Sequence, residues 1–435
     1  MTKRKHGLSR RGLLAAFGTA ACAPRLAGEP GPVSPVFPLG IATGEAAPDG
    51  AIVWTKYTGA ARLELRVWPD DGNQTSATLV PLEMDDAGHV HATVTGLRAG
   101  CWHRYAFVEL LDGAEVGRSE IGRFRTALAP DALEPLRLGA VSCTHQRYSL
   151  DTLLQAASRD DLDAFLVLGD SLYADGAKTA DDYRAAWHEA LSRHPHQRLR
   201  AQTSLITTWD DHEVVDNFTA EASLTGLVNE GRARFFEYQP IRRVAESPGR
   251  LWRSLRWGRT AEFFVLDCRG ERREAQQEYL SREQLDWLKH GLATSSAVFK
   301  VILNSVPITE FPGPLFGLQV HDRWEGFPAQ RTELLEHIDS KGLRGVLWVS
   351  GDFHLGTVGR VSREGPGSKA IEALVGPGGQ TANTSPTYPS PPQFDFATGT
   401  NNYVLIDLEP STVVARLRYI SGRGEVIADR SYPLG

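Results

Sequence analysis

The sequence is short of sulfur. It holds four cysteines and two methionines in 435 residues. Cys22, Cys101, Cys143 and Cys268 show no CxxC spacing, which excludes the common redox and zinc-ribbon motifs. So few thiols also exclude a disulfide framework in a core this large. Methionine this scarce is compatible with an oxidising compartment. Long apolar runs are missing too. The candidate GLLAAFGTAACA at residues 12–23 is too short to span a bilayer. Excess positive charge is absent. With 47 Lys and Arg against 53 Asp and Glu, the net charge of -6 does not argue for nucleic acid or an anionic membrane as partner. There is no GxSxG and no HExxH, so other common hydrolase motifs find no support. VGPGGQ at 375–380 is not followed by GK[ST] and reads as a turn, not as a phosphate cradle. No internal repeat occurs.

What is present begins with a basic, apolar, small-residue leader. Lys3, Arg4, Lys5, Arg10 and Arg11 precede the apolar run, the pattern of an export signal. Ser9-Arg10-Arg11 before Gly12-Leu13-Leu14 resembles a twin-arginine signal, which makes the folded-protein export machinery an expected partner. Residues 1–30 are then signal and tether, and the mature protein is periplasmic or secreted. Cys22 follows Thr19-Ala20-Ala21, which loosely resembles a lipoprotein cleavage site, so a lipid anchor at Cys22 stands beside soluble export.

Apolar content of 41% and charged content of 23% mark a soluble globular chain, long enough for two or three domains. Residues 37–128 alternate in short strand-like segments separated by Gly, Pro, Asp and Asn, which predicts an all-β sandwich of fibronectin or immunoglobulin type. His89, His91 and His103 there read as strand positions, with no carboxylate or thiol placed to complete a metal shell. From 136 to 435 the regime changes. Apolar strand runs such as LRLGAVSC, DAFLVLGD, SLITTW, AEFFVLDC, VFKVILNSVP and RGVLWVSGD alternate with helical patterns, which predicts a layered α/β domain. Ser281 and Gln284 fit a helix capping box. The Gly- and Pro-rich stretches 307–328 and 376–401 read as long loops near a site or as disorder.

The chemistry concentrates at strand ends. Trp209–Asn217 reads WDDHEVVDN, with Asp210, Asp211, His212, Glu213, Asp216 and Asn217 together. Carboxylate and amide oxygens suit hard cations, and imidazole suits iron, zinc or manganese. Other strand ends carry Cys143 with His145, Asp170 with Tyr173 and Asp175, Asn304, and Asp352 with His354. A layered sheet brings such ends to one edge, and a dinuclear metal centre needs that convergence.

The order GDSLY, WDDHE, DRWEGF and GDFH, with Ser-Cys at the first strand, resembles the calcineurin-like metallophosphoesterase superfamily and, within it, the PhoD family of alkaline phosphatases and phosphodiesterases. FPLGIATG at 37–44 with Trp54-Thr55 resembles that family's N-terminal domain. The resemblance implies metal-dependent hydrolysis of phosphoesters, in which metal-activated hydroxide attacks phosphorus in line. The substrate is then a small-molecule, lipid or nucleotide phosphoester, and no specific nucleic-acid or protein partner is implied. It implies iron with calcium, manganese or zinc being alternatives. Carried over, Asp170 bridges two cations and Tyr173 is a phenolate on ferric iron. Cys143 is a thiolate ligand, and Asp211, Asp352 and His354 complete the shells. His212 is a general acid or phosphate contact. Arg323 is a candidate phosphate contact or a structural ion pair. Cys143-Thr144-His145 also fits the superfamily's D-x-H spacing, so His145 competes with Tyr173. Asn217 and Asn304 are weaker candidates for a metal or phosphate contact, and Asn304 equally fits a bond to its own backbone. A non-catalytic, metal-containing binding or adhesion protein of the cell envelope is the alternative function.

Overall fold

The computed structural model describes residues 32–435 apart from 72–77, 81, 83, 222–225, 244–246, 248, 312–321 and 384–391. The expected export signal and Cys22 lie outside these residues, as do parts of both long loops.

In chain order, the N-terminal region gives β1 (Ile41–Ala47), β2 (Gly50–Lys56), β3 (Arg62–Pro69), β4 (Thr78–Val80), β5 (His89–Val94), β6 (Trp102–Leu111), β7 (Ala114–Arg118) and β8 (Gly122–Arg125). The larger region opens with β9 (Leu136–Val141), α1 (Asp151–Ala157), β10 (Ala164–Leu168), α2 (Ala180–Leu191), α3 (His194–Gln202), β11 (Ser204–Thr208) and α4 (Gly226–Tyr238). It continues with β12 (Arg253–Trp257), β13 (Ala261–Val265), α5 (Arg282–Thr294), β14 (Phe299–Asn304), α6 (Pro328–Ser340), β15 (Val346–Ser350), β16 (Gly356–Arg360) and β17 (Ile371–Leu374). It closes with β18 (Phe394–Thr398), β19 (Asn402–Glu409), β20 (Val414–Ser421) and β21 (Val426–Pro433).

Two sheets stack face to face. One runs β21-β20-β19-β9-β10-β11-β1-β2-β5 and the other β12-β13-β14-β15-β17-β16-β18. Strands buried on both faces need apolar residues at nearly every position, as here. Leu138, Leu166, Leu168, Phe263, Val265, Val301, Leu303, Val349 and Leu417 fill the space between the sheets. The alternate residues point outward. Phe165, Val167 and Leu205 meet the helical Leu153 and Leu199, while Phe264, Ile302 and Trp348 meet Leu285, Leu288 and Leu334. Each fully buried side chain of this kind contributes about 1.5–3 kcal/mol. The result is helix, sheet, sheet, helix.

In the first sheet β9, β10 and β11 are parallel, and in the second β13, β14 and β15 are parallel. Their C-terminal ends carry the ligand-type residues. The N-terminal region supplies both layers of the expected sandwich, and one of them is continuous with the large sheet. β1, β2 and β5 extend the nine-stranded sheet through β1 pairing parallel to β11, while β3, β4, β6 and β7, with β8 on β6, form the second layer. The capping box at α5 is half formed. Ser281 Oγ accepts Gln284 N at 3.2 Å, but the Gln284 side chain reaches Asp267 and Glu271 instead of the Ser281 backbone. A complete box caps α2, between Thr179 and Asp182.

Candidate metal centre

Several ligand-type residues lie in bends that a sheet cannot continue. Cys143, Asp170, Asn217, Asp352 and His354 all adopt left-handed backbone, with φ between 51° and 70°. Among the described residues only four other non-glycine residues do so. Such conformations cost energy and persist where function or surrounding structure demands them. Gly169 makes one bend possible. Its φ is +84°, and a Cβ there would lie 2.5 Å from Asp210 Cβ.

The bends converge. Ligand atoms of Cys143, Asp170 and His354 lie within 4.8 Å of one another, as do those of Asp170, Asp211 and His212 and those of Asp170, Asp210, Asp211 and Asp352. Asp170 belongs to all three groups, the position a bridging carboxylate needs. Its Oδ2 accepts from Cys143 Sγ at 3.5 Å and from Tyr173 Oη at 3.3 Å. Tyr173 Oη also lies 2.9 Å from His354 Nε2. Tyr173 therefore enters the cluster and His145 does not. The His145 ring stacks on Tyr173 at 4.5 Å, and its Nδ1 accepts the Arg147 N–H. The loop after β17 closes this side, with Gly379 N donating to Cys143 O and Asn383 N to His354 O.

Three carboxylate oxygens in this pocket are buried without a hydrogen-bond partner: Asp170 Oδ1, Asp211 Oδ1 and Asp352 Oδ2. A buried polar atom left without a partner costs about 1–3 kcal/mol, and three of them share one pocket. Hard cations would satisfy these oxygens, and thiolate, phenolate and imidazole beside them suit a transition metal. The residues present fit a two-cation centre.

The electrostatics agree. Burial, reinforced by neighbouring carboxylates, pushes Asp170 and Asp352 well above the usual carboxylate range. Burial and Asp170 likewise push Cys143 and Tyr173 up. Burial alone would raise Asp211, but Arg269, His212 and the Asn217 N–H outweigh it and hold it low. Burial takes His354 down to about 4, so its imidazole is neutral and able to ligate. His212 goes the other way. Burial opposes its charge, but Asp170, Asp175 and Asp211 lift it to about 11. Asp175 Oδ1 sits 2.7 Å from His212 Nδ1, which fixes the ring and leaves Nε2 as its free nitrogen.

Three sequence candidates sit differently. Arg323 is buried and forms an ion pair with Glu325 at 2.6 Å. Asn304 Oδ1 accepts from Cys268 Sγ at 3.0 Å and Trp324 Nε1 at 3.1 Å, so it bonds side chains and not its own backbone. Asn217 is exposed, and its backbone N–H donates to Asp211 Oδ2 at 2.8 Å. Two residues were not given their roles by sequence reasoning. Glu213 braces the site by accepting from Ser171 N at 2.6 Å, Ser171 Oγ at 2.7 Å and Asp210 N at 3.0 Å. Arg269 is wholly buried against Asp210. It follows β13, and the strand-end rule applied to AEFFVLDC would have reached it.

Comparison with known proteins places this geometry. The fold matches a solved structure titled "Structure of PhoD", with 23% identity and a TM-score of 0.76 over 92% of this chain and 89% of that one. It also matches purple acid phosphatase PPD1 from yellow lupin seeds, with 16% identity and a TM-score of 0.66 over 90% and 73%. In sequence the chain is 25% identical over 391 residues to alkaline phosphatase D of Bacillus subtilis (strain 168), covering 73% of this chain. The chain spans 64% of the length of that curated relative. The family profile "PhoD-like phosphatase, N-terminal domain" matches residues 21–128, and "PhoD-like phosphatase" matches 138–390. The second match runs through every strand end that contributes to the pocket, and the chain belongs to the PhoD-like phosphatase family.

Proposed function

We propose that this chain is a metal-dependent phosphoester hydrolase, an alkaline phosphatase or phosphodiesterase of the PhoD type. The observation that carries the reading is the cluster of Asp170, Asp211 and Asp352, each with a buried carboxylate oxygen that has no partner within the protein. Family membership and the relative named alkaline phosphatase D point the same way. Cys143, Asp170, Tyr173 and His354 would hold one cation, and Asp170, Asp211 and Asp352 the other. Iron with calcium fits this division, because thiol, phenol and imidazole gather on one side and oxygen donors on the other. Bound there, the cations supply Lewis acidity, which acidifies water and neutralises phosphoryl charge.

The chain's own residues do the rest. His212, held by Asp175 at 2.7 Å and charged by its acidic surroundings, presents a proton at Nε2 for the departing alkoxide. Tyr173 lies between the rings of His145 and His212, at 4.5 Å and 4.1 Å, which fixes the phenol in one orientation. Glu213 ties the loop after β10 to the loop after β11, so that Asp170 and Asp211 move as a unit. Arg323, already paired with Glu325, acts as a structural ion pair in this reading.

The test is hydrolysis of p-nitrophenyl phosphate and bis-p-nitrophenyl phosphate by the purified protein and by Asp170→Ala. Plasma mass spectrometry and a visible spectrum accompany both assays. Two bound cations and turnover in the wild type, with both lost together in the variant, are expected. A fully active variant would sink the assignment.

A further inference from the structure

Arg269 has no exposed surface. Its guanidinium grips Asp210 with two bonds, Nε to Oδ1 at 2.7 Å and Nη2 to Oδ2 at 2.9 Å. Ser305 Oγ also bonds Asp210 Oδ1, at 2.9 Å. Both oxygens of Asp210 are therefore occupied. The adjacent Asp211 keeps Oδ1 free. Arg269 Nη2 lies 3.7 Å from Asp211 Oδ2 and 3.7 Å from Asp352 Oδ1, which is close enough for attraction but too long for a hydrogen bond. Nη1 donates to Asp322, and to Asn217 Oδ1 at 3.4 Å. Arg272 holds the same Asp322 at 2.9 Å. One side chain thus joins the ends of β11 and β15 and the segment that begins at Asp322.

We propose that Arg269 is the positioning residue of the metal centre. It withdraws Asp210 from the ligand set and holds Asp211 and Asp352 facing the one cation they would share with Asp170. The planar fork is what performs this. A lysine supplies the charge as a point and cannot engage two oxygens of Asp210 while facing two further carboxylates. Removing one partner of a buried pair leaves an uncompensated charge. Replacing both by neutral groups of similar shape does not. The two manipulations therefore separate neutralisation from positioning.

The inference rests on the metallohydrolase reading above. Chelator-stripped wild type, Arg269→Lys and the double variant Asp210→Asn/Arg269→Met are titrated with Mn²⁺ by calorimetry, with circular dichroism to confirm folding. Both variants are expected to bind Mn²⁺ on the order of 10–100-fold more weakly than wild type. In Arg269→Lys reloaded with metal, kcat on p-nitrophenyl phosphate should fall with KM little changed. Wild-type affinity in the double variant, which removes the Asp210–Arg269 pair as a unit, would mean that Arg269 only neutralises Asp210, and the proposal is overturned. Wild-type affinity in Arg269→Lys overturns it equally. A wild-type protein that binds no Mn²⁺ removes the metal reading itself, and the proposal with it.

Discussion

At the scale of single residues, charge sets the protonation of the residue proposed as proton donor. His212 sits among Asp170, Asp175 and Asp211, which hold it protonated. A general acid matters most when the leaving group is poor. His212→Asn should therefore cost about 10²–10⁴-fold in kcat on an alkyl phosphate, and far less on p-nitrophenyl phosphate, whose leaving group departs without a proton. Asp175→Asn should act in the same direction more weakly. Equal losses on both substrates would remove the proton-donor role from His212. Most of these residues are legible in the sequence because a strand end followed by Asp, His or Tyr is a local pattern. The same rule reaches Arg269 but not its role, because that lies in four carboxylates from three distant segments. The choice between Tyr173 and His145 also needs the fold. Both follow strand ends with plausible spacing, and only the path of the backbone turns the Tyr173 hydroxyl toward His354 while His145 lies flat on the tyrosine ring.

At the scale of elements, the apolar runs that form β9, β10, β11, β13, β14 and β15 announce themselves. Strands covered on both faces cannot carry polar residues mid-run. Helix α3 does not. HPHQRLRAQ has no apolar stripe, its start is set by a proline in the first turn, and its buried face includes His196 and Arg200. The pairing of β1 with β11 is equally invisible, since Thr43 and Ser204 meet across 160 intervening positions that no local pattern spans. The two sheets touch at the ends that carry the site, and Gly351 permits that contact. A Cβ on it would lie 2.6 Å from Ser142 Cβ and 2.7 Å from the Leu168 carbonyl oxygen. Gly351→Ala should force the ends of β9, β10 and β15 apart. The expected cost is about 1–3 kcal/mol of stability, with weaker metal retention because Asp352 moves with its neighbour. Gly226→Ala, where nothing lies within 4 Å of the new carbon, is the control. Thermal melts and metal content together check it. A Gly351→Ala protein with wild-type melting and metal would mean that the sheet ends yield without strain.

At the scale of the whole molecule, the metal pocket should govern how stability depends on pH. In the metal-free protein Asp170 and Asp352 have raised folded-state values, and Glu213 is raised from 4.5 to about 7 by burial. A raised folded value means that the fold binds the proton more tightly than the unfolded chain does. That contribution is complete below the ordinary carboxylate range and is lost as pH climbs through the folded value. His212, raised from 6.5 to about 11, adds the same sign from pH 6.5 upward. Asp211, held low, and Glu333, lowered to about 2 by Arg282 and Lys289, have completed their contributions by pH 5 and add no slope above it. Cys143 and Tyr173 stay protonated in both states between pH 5 and 8. Below pH 6.5 the buried histidines oppose this, because His91 and His354 at about 4 and His196 at about 3 are neutral in the fold and charged in the unfolded chain. The melting temperature of the chelated protein should therefore fall from pH 7 to pH 8. Cations reverse this. They bind the deprotonated ligands, so binding displaces protons and tightens with pH, and whatever binds only the fold stabilises it. The gap between metal-loaded and chelated protein should widen by about 1.4 kcal/mol per pH unit for each proton displaced. Melts at pH 5, 6, 7 and 8, with and without chelator, measure that gap directly. Parallel curves would mean that the carboxylates of this pocket are neutralised within the protein itself, and that their unpartnered oxygens do not await a cation.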